Sequence, residues 1–318
     1  MAPPLALVTG ANGGIGLEVC KQLLASGYHL AVSCRSGRAA EATAAALRRA
    51  APPGAPADSI TCVPCDLSSF GSVRAAAAAL QEQLGARPLD VLCCNAASIP
   101  PRLRITADGF EEQAQANHLG HFLLVHLLLP SVLRAPEGRV VLVASEMHRK
   151  VPPEEAEPAR LAAKWSAEGF GEGIGGYQPV PVYSGTKLLN IWHAAHLARL
   201  LPPGAAANAV SPGWVPATGL SRFAAGRLIP RILGALGAWL FPAVVITPRE
   251  AGRRVAAVCM GAEEAGGGAT GLYFSKRRSV QPSEAGARGD FAAAAFELSR
   301  RAVGIEGVPY GGLPIAPR

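Results

Sequence analysis

An α/β fold built on a doubly wound parallel sheet, with helices on both faces, is what this chain predicts, and three observations carry the prediction. Short apolar runs alternate with helical patterns from Leu5 to Val210. The loops between them are short, which implies right-handed crossovers and strands that run in parallel. The glycines and polar residues that stand out collect at the carboxyl ends of those strands, where such sheets gather their ligands. One domain spans 1–303, with an insertion at 146–180, an apolar C-terminal lid region at 214–247 and a flexible tail at 304–318.

Leu5 to Val8 reads as a buried strand that runs into Thr9-Gly10-Ala11-Asn12-Gly13-Gly14-Ile15-Gly16 and then a helix from Leu17 to Ser26. Strand, glycine turn and helix in that order form a dinucleotide-binding context of Rossmann type. Gly10 permits the tight turn, Gly14 lets backbone approach a pyrophosphate, and Gly16 allows close helix–strand packing. The helix start offers its unpaired N–H groups to the phosphates. Asn12 and Ile15, inside the turn, join the cofactor-binding set.

The second strand, His29 to Cys34, ends in Arg35-Ser36. An acid at that tip would hydrogen-bond the ribose 2′-hydroxyl of NAD, whereas arginine accommodates a 2′-phosphate. The tip carries no carboxylate, so NADP(H) is expected, with Arg35 as the phosphate contact. A helix from Ala39 to Ala50 leads to a third strand, Ser59 to Pro64, and then Asp66-Leu67. Asp66 suits both an acceptor for the adenine amino group and the N-cap of the next helix, Ser72 to Gly85. The fourth strand, Leu89 to Cys94, runs into Asn95-Ala96-Ala97, where small residues leave room for a cofactor and Asn95 can tie strand ends together.

A long helix is expected from Gly109 to Leu129, with Asn117 in need of partners if buried. The fifth strand, Arg139 to Val143, delivers Ser145 at its end. The sixth, Ala206 to Val210, ends in Ser211-Pro212-Gly213-Trp214-Val215-Pro216-Ala217-Thr218. A helix (Pro248 to Met260), a last strand (Gly271 to Ser275) and a helix (Asp290 to Val303) complete the chain.

The chemistry centres on Tyr183-Ser184-Gly185-Thr186-Lys187. Four residues apart at the start of a helical pattern, the phenol and the ammonium share a face. A free phenol titrates near ~10. An adjacent ammonium favours the phenolate and brings that value down, giving a general acid for a carbonyl oxygen.

Composition excludes other classes. The net charge is +7, yet Arg and Lys are scattered with only short runs such as Lys276-Arg277-Arg278 and no aromatic-interleaved stripe, which argues against nucleic acid. Seven cysteines without scaffold spacing point to a reducing compartment, and Cys62-Val63-Pro64-Cys65 reads as structural thiols. His118 and His121 have no third ligand nearby, so no metal is expected. The apolar first strand starts almost at once, so no secretion signal is expected. The segment from Ile229 to Thr247 is broken by Pro230, Arg231 and Pro242 and is too short to span a bilayer, although peripheral membrane contact stays open.

Taken together, these residues resemble the short-chain dehydrogenase/reductase family. The matching patterns are Thr9-Gly10-x-x-x-Gly14-Ile15-Gly16, Asp66-Leu67, Asn95-Ala96-Ala97, Asn117, Ser145, Tyr183-x-x-x-Lys187 and Pro212-Gly213. The branch resembled contains retinol dehydrogenases, WW-domain oxidoreductases and protochlorophyllide reductases. Asn117-His118-Leu119-Gly120-His121, the long Ser145–Tyr183 gap and Gly271-Leu272-Tyr273-Phe274-Ser275 carry that likeness. Two departures are an alanine, Ala97, where the family usually has glycine, and Gly13 in place of a frequent serine.

The resemblance implies that Tyr183 is the acid/base and that Lys187 lowers its pKa and holds the nicotinamide ribose. It implies that Ser145 orients the substrate oxygen and that Asn117 fixes a water in a relay to Lys187. Pro212, Gly213 and Thr218 would meet the nicotinamide. The expected activity is NADP(H)-dependent carbonyl/alcohol interconversion on a lipophilic substrate of retinoid, steroid or long-chain aldehyde type. Trp214, Phe223, Trp239 and Phe241 serve as its wall, or else as core or an interface. The alternatives are reduction of a pigment or specialised plant metabolite, and a regulatory protein that binds NADP(H) with little turnover. A homodimer and a cytoplasmic or membrane-peripheral location accompany that reading.

Overall fold

A computed structural model describes residues 2–53, 56, 58–170, 176–215, 246–261 and 268–312. Eight strands form one sheet in the order β3-β2-β1-β4-β5-β6-β7-β8. They are β1 Leu5–Thr9, β2 His29–Cys34, β3 Ile60–Pro64, β4 Val91–Cys94, β5 Arg139–Val143, β6 Ala206–Ser211, β7 Tyr273–Ser275 and β8 Arg278–Ser279. All neighbours pair in parallel except β7 and β8. β1 pairs with β2 on one side and β4 on the other, Val8 lying opposite both Val32 and Cys93. The strand order reverses there, so a crevice opens above the carboxyl ends of β1 and β4.

Side chains alternate between the two faces of each strand. Leu5 and Leu7 enter one core, together with Leu92, Phe122, Leu128 and Trp192. Ala6 and Val8 enter the other, with Val19, Leu23, Val255 and Phe274. The first core is roofed by α3 (Phe70–Leu84), α5 (Gly120–Val132) and α7 (Pro179–Leu200), the second by α1 (Gly14–Ala25), α2 (Gly37–Ala50) and α8 (Pro248–Cys259). Each fully buried Leu or Phe contributes about 2 kcal/mol to holding these layers together. Cys65 lies in the first core and Cys62 packs against the second, so the Cys-x-x-Cys pair is split across the sheet as packing thiols. Among the described residues, no helix is long and apolar enough to cross a membrane.

Three departures from expectation have physical causes. The single helix expected at 109–129 is a short α4 (Glu112–Ala114), a π turn (Gln115–Leu119) and then α5. The π turn frees the Asn117 carbonyl for side-chain donors, and such turns occur often at functional sites. β8 is an added hairpin strand whose turn places Lys276 and Arg277 at positive φ, 51° and 69°. Hairpin turns of that kind usually advertise themselves with Asn-Gly or Asp-Gly, and this one does not.

The third concerns the tail expected to be flexible. Through Gly312 it is docked. α10 (Gly289–Ala302) is followed by a 3-10 turn, Tyr310–Gly312, and Tyr310 is only 2% exposed. Its ring packs 4.8 Å from those of both Phe122 and Phe296. Its hydroxyl donates to the Phe122 carbonyl at 2.7 Å and therefore accepts from His193 Nε2 at 3.0 Å. Buried Arg300 donates to the Val308 carbonyl at 2.5 Å, and the Gly311 N–H donates to His126 Nδ1 at 3.0 Å. Apolar burial hidden within a Pro/Gly-rich stretch is what holds this segment. Tyr310→Ala is therefore expected to lower the unfolding free energy by about 3 kcal/mol. Tyr310→Phe should cost about 1 kcal/mol, since it keeps the ring and loses the hydroxyl bonds. Urea denaturation of the two variants checks this, and an alanine variant as stable as wild type would show that the tail does not dock.

Candidate active site

The turn after β1 is organised by Thr9, a residue for which the sequence suggested no separate role. Its hydroxyl oxygen accepts the N–H groups of Asn95 and Ala96 at 2.9 and 3.0 Å. Asn95 in turn donates through its side-chain amide to the Thr9 carbonyl at 2.8 Å. The strand ends are thus tied as the Asn95 amide suggested. Gly10 has φ of 66°, and a Cβ there would lie 2.9 Å from Ala96 Cα. A Cβ on Gly16 would collide with the Gly10 carbonyl, so close helix–turn packing demands glycine. Gly14 also sits at positive φ, 52°.

The start of α1 fits an anionic group. Its N-cap, Gly13, offers no side chain, the first turn contains no acid, and the space around Gly13 is open. The first-turn N–H groups are left for an external acceptor, and the helix dipole favours a negative one. Ile15 is half-buried beside them and Asn12 is exposed at the lip.

Arg35 stands exposed at the end of β2 with no acidic partner among the described residues. Ser36 beside it caps α2 through Ala39 N. Asp66 accepts from Ser68 N at 3.0 Å and Ser68 Oγ at 2.6 Å, while the N-cap of α3 is Ser69. The capping role considered for Asp66 is therefore taken by Ser69. Leu67 is buried, so it can face the crevice only through its backbone. Ala96 and Ala97 are half-buried along the β4 exit.

On the other side of the crevice, β5 ends at Ser145, which caps a 3-10 turn (Glu146–Lys150) by accepting from Met147 N at 3.2 Å. The Ser145 hydroxyl lies close enough to the Tyr183 phenol to act on its pKa. Lys187, one turn along α7, is 1% exposed and donates from Nζ to the Val143 carbonyl at 2.9 Å. Its Nζ lies 5.3 Å from the Tyr183 ring centroid. Ser145, Tyr183 and Lys187 are therefore brought together as expected.

The electrostatics differ from the expectation. Burial pushes the Tyr183 phenol up to about 12, offset only in part by the Ser145 hydroxyl. Burial also brings the Lys187 ammonium down to about 7. The lysine does not acidify the phenol in the protein's own field, because desolvation acts on both groups and each is driven toward its neutral form. A neutral phenol beside Ser145 is a proton donor for a carbonyl oxygen.

Asn117 makes several direct bonds. Its side chain clamps Ser98, accepting from Ser98 N at 2.7 Å and donating to the Ser98 carbonyl at 2.9 Å. Its carbonyl accepts from Asn190 Nδ2 at 3.1 Å and from His121 Nδ1 at 3.2 Å. No bond joins Asn117 to Lys187 among the described residues. Asn190 is the intermediary, its amide lying between the Asn117 and Val143 carbonyls. It sits three positions after Lys187 in an apolar helix segment, which was the signal available in the sequence.

The two histidines of that segment are structural. A carbonyl can only accept, so His121 carries its proton on Nδ1 and its Nε2 accepts from Thr9 at 2.8 Å. Burial lowers its pKa to about 3 and that of His118, bonded to Asn190 and Ser299, to about 4. His148, also unforeseen, donates from Nδ1 to the Ser145 carbonyl at 2.7 Å and accepts Ser283 N at 2.9 Å. Pro212 and Gly213 lie at the β6 exit. Arg254 donates to the Pro212 carbonyl at 3.3 Å, and Gly213 has φ of 102°. Thr218, Phe223, Trp239, Phe241 and nearly all of the expected lid at 214–247 lie outside the described residues.

Lys187 makes the field testable. Its folded-state pKa near 7 lies below the ordinary 10.5, so between those values the unfolded chain binds more protons and stability rises with pH. The penalty is full below pH 7 and absent above 10.5. Lys187→Met should be more stable than wild type by about 2–4 kcal/mol at pH 6, with the gap closing toward pH 10. An equal gap at both pH values would show that the ammonium is not desolvated.

The comparisons agree with this geometry. A family model described as short chain dehydrogenase matches residues 4–177. Human WW domain-containing oxidoreductase is 36% identical over 211 residues, 66% of this chain and 48% of that protein. The chain thus spans about half the length of those relatives. Mouse retinol dehydrogenase 14 is 35% identical over 74% of this chain and 68% of its own. Barley (Hordeum vulgare) protochlorophyllide reductase B is 32% identical over 94% and 78%. Among solved structures, a Mycobacterium paratuberculosis protein aligns with a TM-score of 0.69 at 25% identity, covering 99% of this chain and 96% of its own. An actinorhodin polyketide ketoreductase variant with NADPH gives 0.62 at 25% identity, over 86% and 95%. A glycine turn at the sheet's switch point, a serine–tyrosine–lysine cluster facing it and the matching family model lead to one conclusion: the chain belongs to the short-chain dehydrogenase/reductase family of oxidoreductases.

Proposed function

We propose that the protein interconverts a carbonyl and an alcohol on a lipophilic substrate, with NADP(H) as its cofactor. The observation that carries this reading is the adjacent Ser145–Tyr183 pair, with buried Lys187 beside it, across the crevice from the uncapped start of α1. NADP(H) would supply or accept the hydride. The chain's own residues do the rest. The α1 N–H groups would hold the pyrophosphate, Arg35 the 2′-phosphate, and Lys187 the nicotinamide ribose. Ser145 orients the substrate oxygen and Tyr183 gives it a proton. At neutral pH the phenol is protonated, the form that gives a proton to a carbonyl oxygen.

Support for the phosphate preference comes from Arg35 itself, exposed at the β2 tip where no carboxylate stands. Support for a lipophilic substrate comes from the likeness to retinol dehydrogenase 14. A pigment substrate is the second reading, favoured by the coverage of protochlorophyllide reductase B over 94% of this chain.

Tyr183→Phe is expected to lower kcat about 10³-fold while nucleotide binding by calorimetry is retained. Full turnover in that variant would remove the phenol from the reaction. A binding role without turnover would instead leave the biological effect of the protein intact in Tyr183→Phe. Arg35→Ala should raise KM for NADPH about tenfold and leave KM for NADH unchanged. Equal changes for both nucleotides would refute the 2′-phosphate contact. The substrate class is read from NADPH oxidation with retinal, steroid ketones, long-chain aldehydes and small polar carbonyls. Turnover confined to the polar ones would defeat the lipophilic assignment, and turnover that needs light would favour the pigment.

A further inference from the structure

Behind the catalytic helix lies a second cavity, of about 280 Å³. One wall is Val182, Gly185, Thr186 and Leu189, a face of α7 defined by the helical spacing i, i+3, i+4 and i+7. Ser145, Tyr183 and Lys187 are not among its lining residues, so it is separate from the crevice. The opposite wall comes from the 146–180 insertion and is apolar, made by Val151, Leu161, Trp165 and Phe170. Trp165 is 6% exposed, yet its indole N–H makes no hydrogen bond among the described residues.

The charges of this cavity are unbalanced. Lys164 and Glu155 neutralise each other at 2.5 Å. Lys150, an exposed residue at the mouth of the same space, has neither ion pair nor hydrogen bond among the described residues. The cavity therefore offers an unengaged ammonium and an unengaged indole donor over an apolar wall, while its one lining carboxylate is already paired. At about 280 Å³ the cavity lies near the lower end of small-ligand sites, so its occupant is small.

We propose that this cavity binds a small amphiphilic carboxylate, such as a medium-chain fatty acid, with its carboxylate on Lys150 and its chain along Val151, Leu161 and Trp165. The occupant would lie against Thr186, which lines the cavity. That hydroxyl donates to the Tyr183 carbonyl at 2.8 Å and accepts from Asn117 Nδ2 at 3.4 Å. The ligand would therefore lie one residue from the catalytic machinery without entering it.

The test is isothermal titration calorimetry of the full chain with sodium octanoate and with octan-1-ol, a probe of the same length without the charge. Octanoate is expected to bind about tenfold more tightly than the alcohol, as a charge-assisted contact to Lys150 requires. Lys150→Gln should bring the two affinities within about twofold, and Val151→Phe, which fills the cavity, should abolish both. Equal affinity for the two probes in the wild-type protein overturns the proposal, as does the absence of octanoate binding at millimolar concentration. Octanoate binding that persists in a Val151→Phe variant with an unchanged thermal melt places the ligand elsewhere and also overturns it. Should Val151→Phe fail to fold, Lys150→Gln decides alone: an undiminished preference for octanoate refutes the site.

Discussion

The hydroxyl of Thr9 holds together the two strands between which the crevice opens. A parallel sheet whose order reverses leaves a gap above its strand ends, and nothing in the strand ladder controls how wide that gap is. Thr9 supplies the control by accepting two N–H groups from the β4 exit and giving its own proton to His121. Because both nitrogens of His121 are spoken for and burial keeps the ring neutral, the bond has one sense. The Asn117 carbonyl at its far end is free to accept only because the helix opens into a π turn. A line of bonds therefore runs from the glycine turn to α7, through Asn190, without passing through solvent.

Desolvation is the second organising force. It raises the Tyr183 phenol and lowers the Lys187 ammonium, so the protein on its own holds both groups close to neutrality. An ammonium kept in a buried site at a cost responds strongly to any oxygen acceptor placed beside it, and carbonyl oxygens such as Val143 already point there. The site is poised rather than relaxed.

The C-terminal turn and the 146–180 insertion complete the first core. Tyr310 fills a box of Phe122, His193 and Phe296, and Trp165 closes against His118. These contacts brace α5 and α7, the two helices that carry Asn117's partners and the Tyr183–Lys187 pair, from the side away from the sheet. Stability of that outer layer and precision of the site are thus the same set of contacts.

What could be read along the chain was whatever depends on near neighbours. Strand and helix period, the glycine turn and the one-turn spacing of Tyr183 and Lys187 are local, and β2 and β5 appear at the bounds the apolar runs imply. The family, and with it the meeting of Ser145 with Tyr183, followed from the order of its motifs. Tertiary structure alone decided the partners of polar groups: Thr9 with His121, Asn117 with Ser98, Ser69 rather than Asp66 as the cap of α3. It also decided the sign of the electrostatics, since desolvation depends on how much protein surrounds a group and spacing says nothing of that. The docked tail was hidden for the same reason. A tyrosine in a Pro/Gly stretch has no period to betray it, and only the aromatic box supplied by α5, α7 and α10 makes its burial favourable.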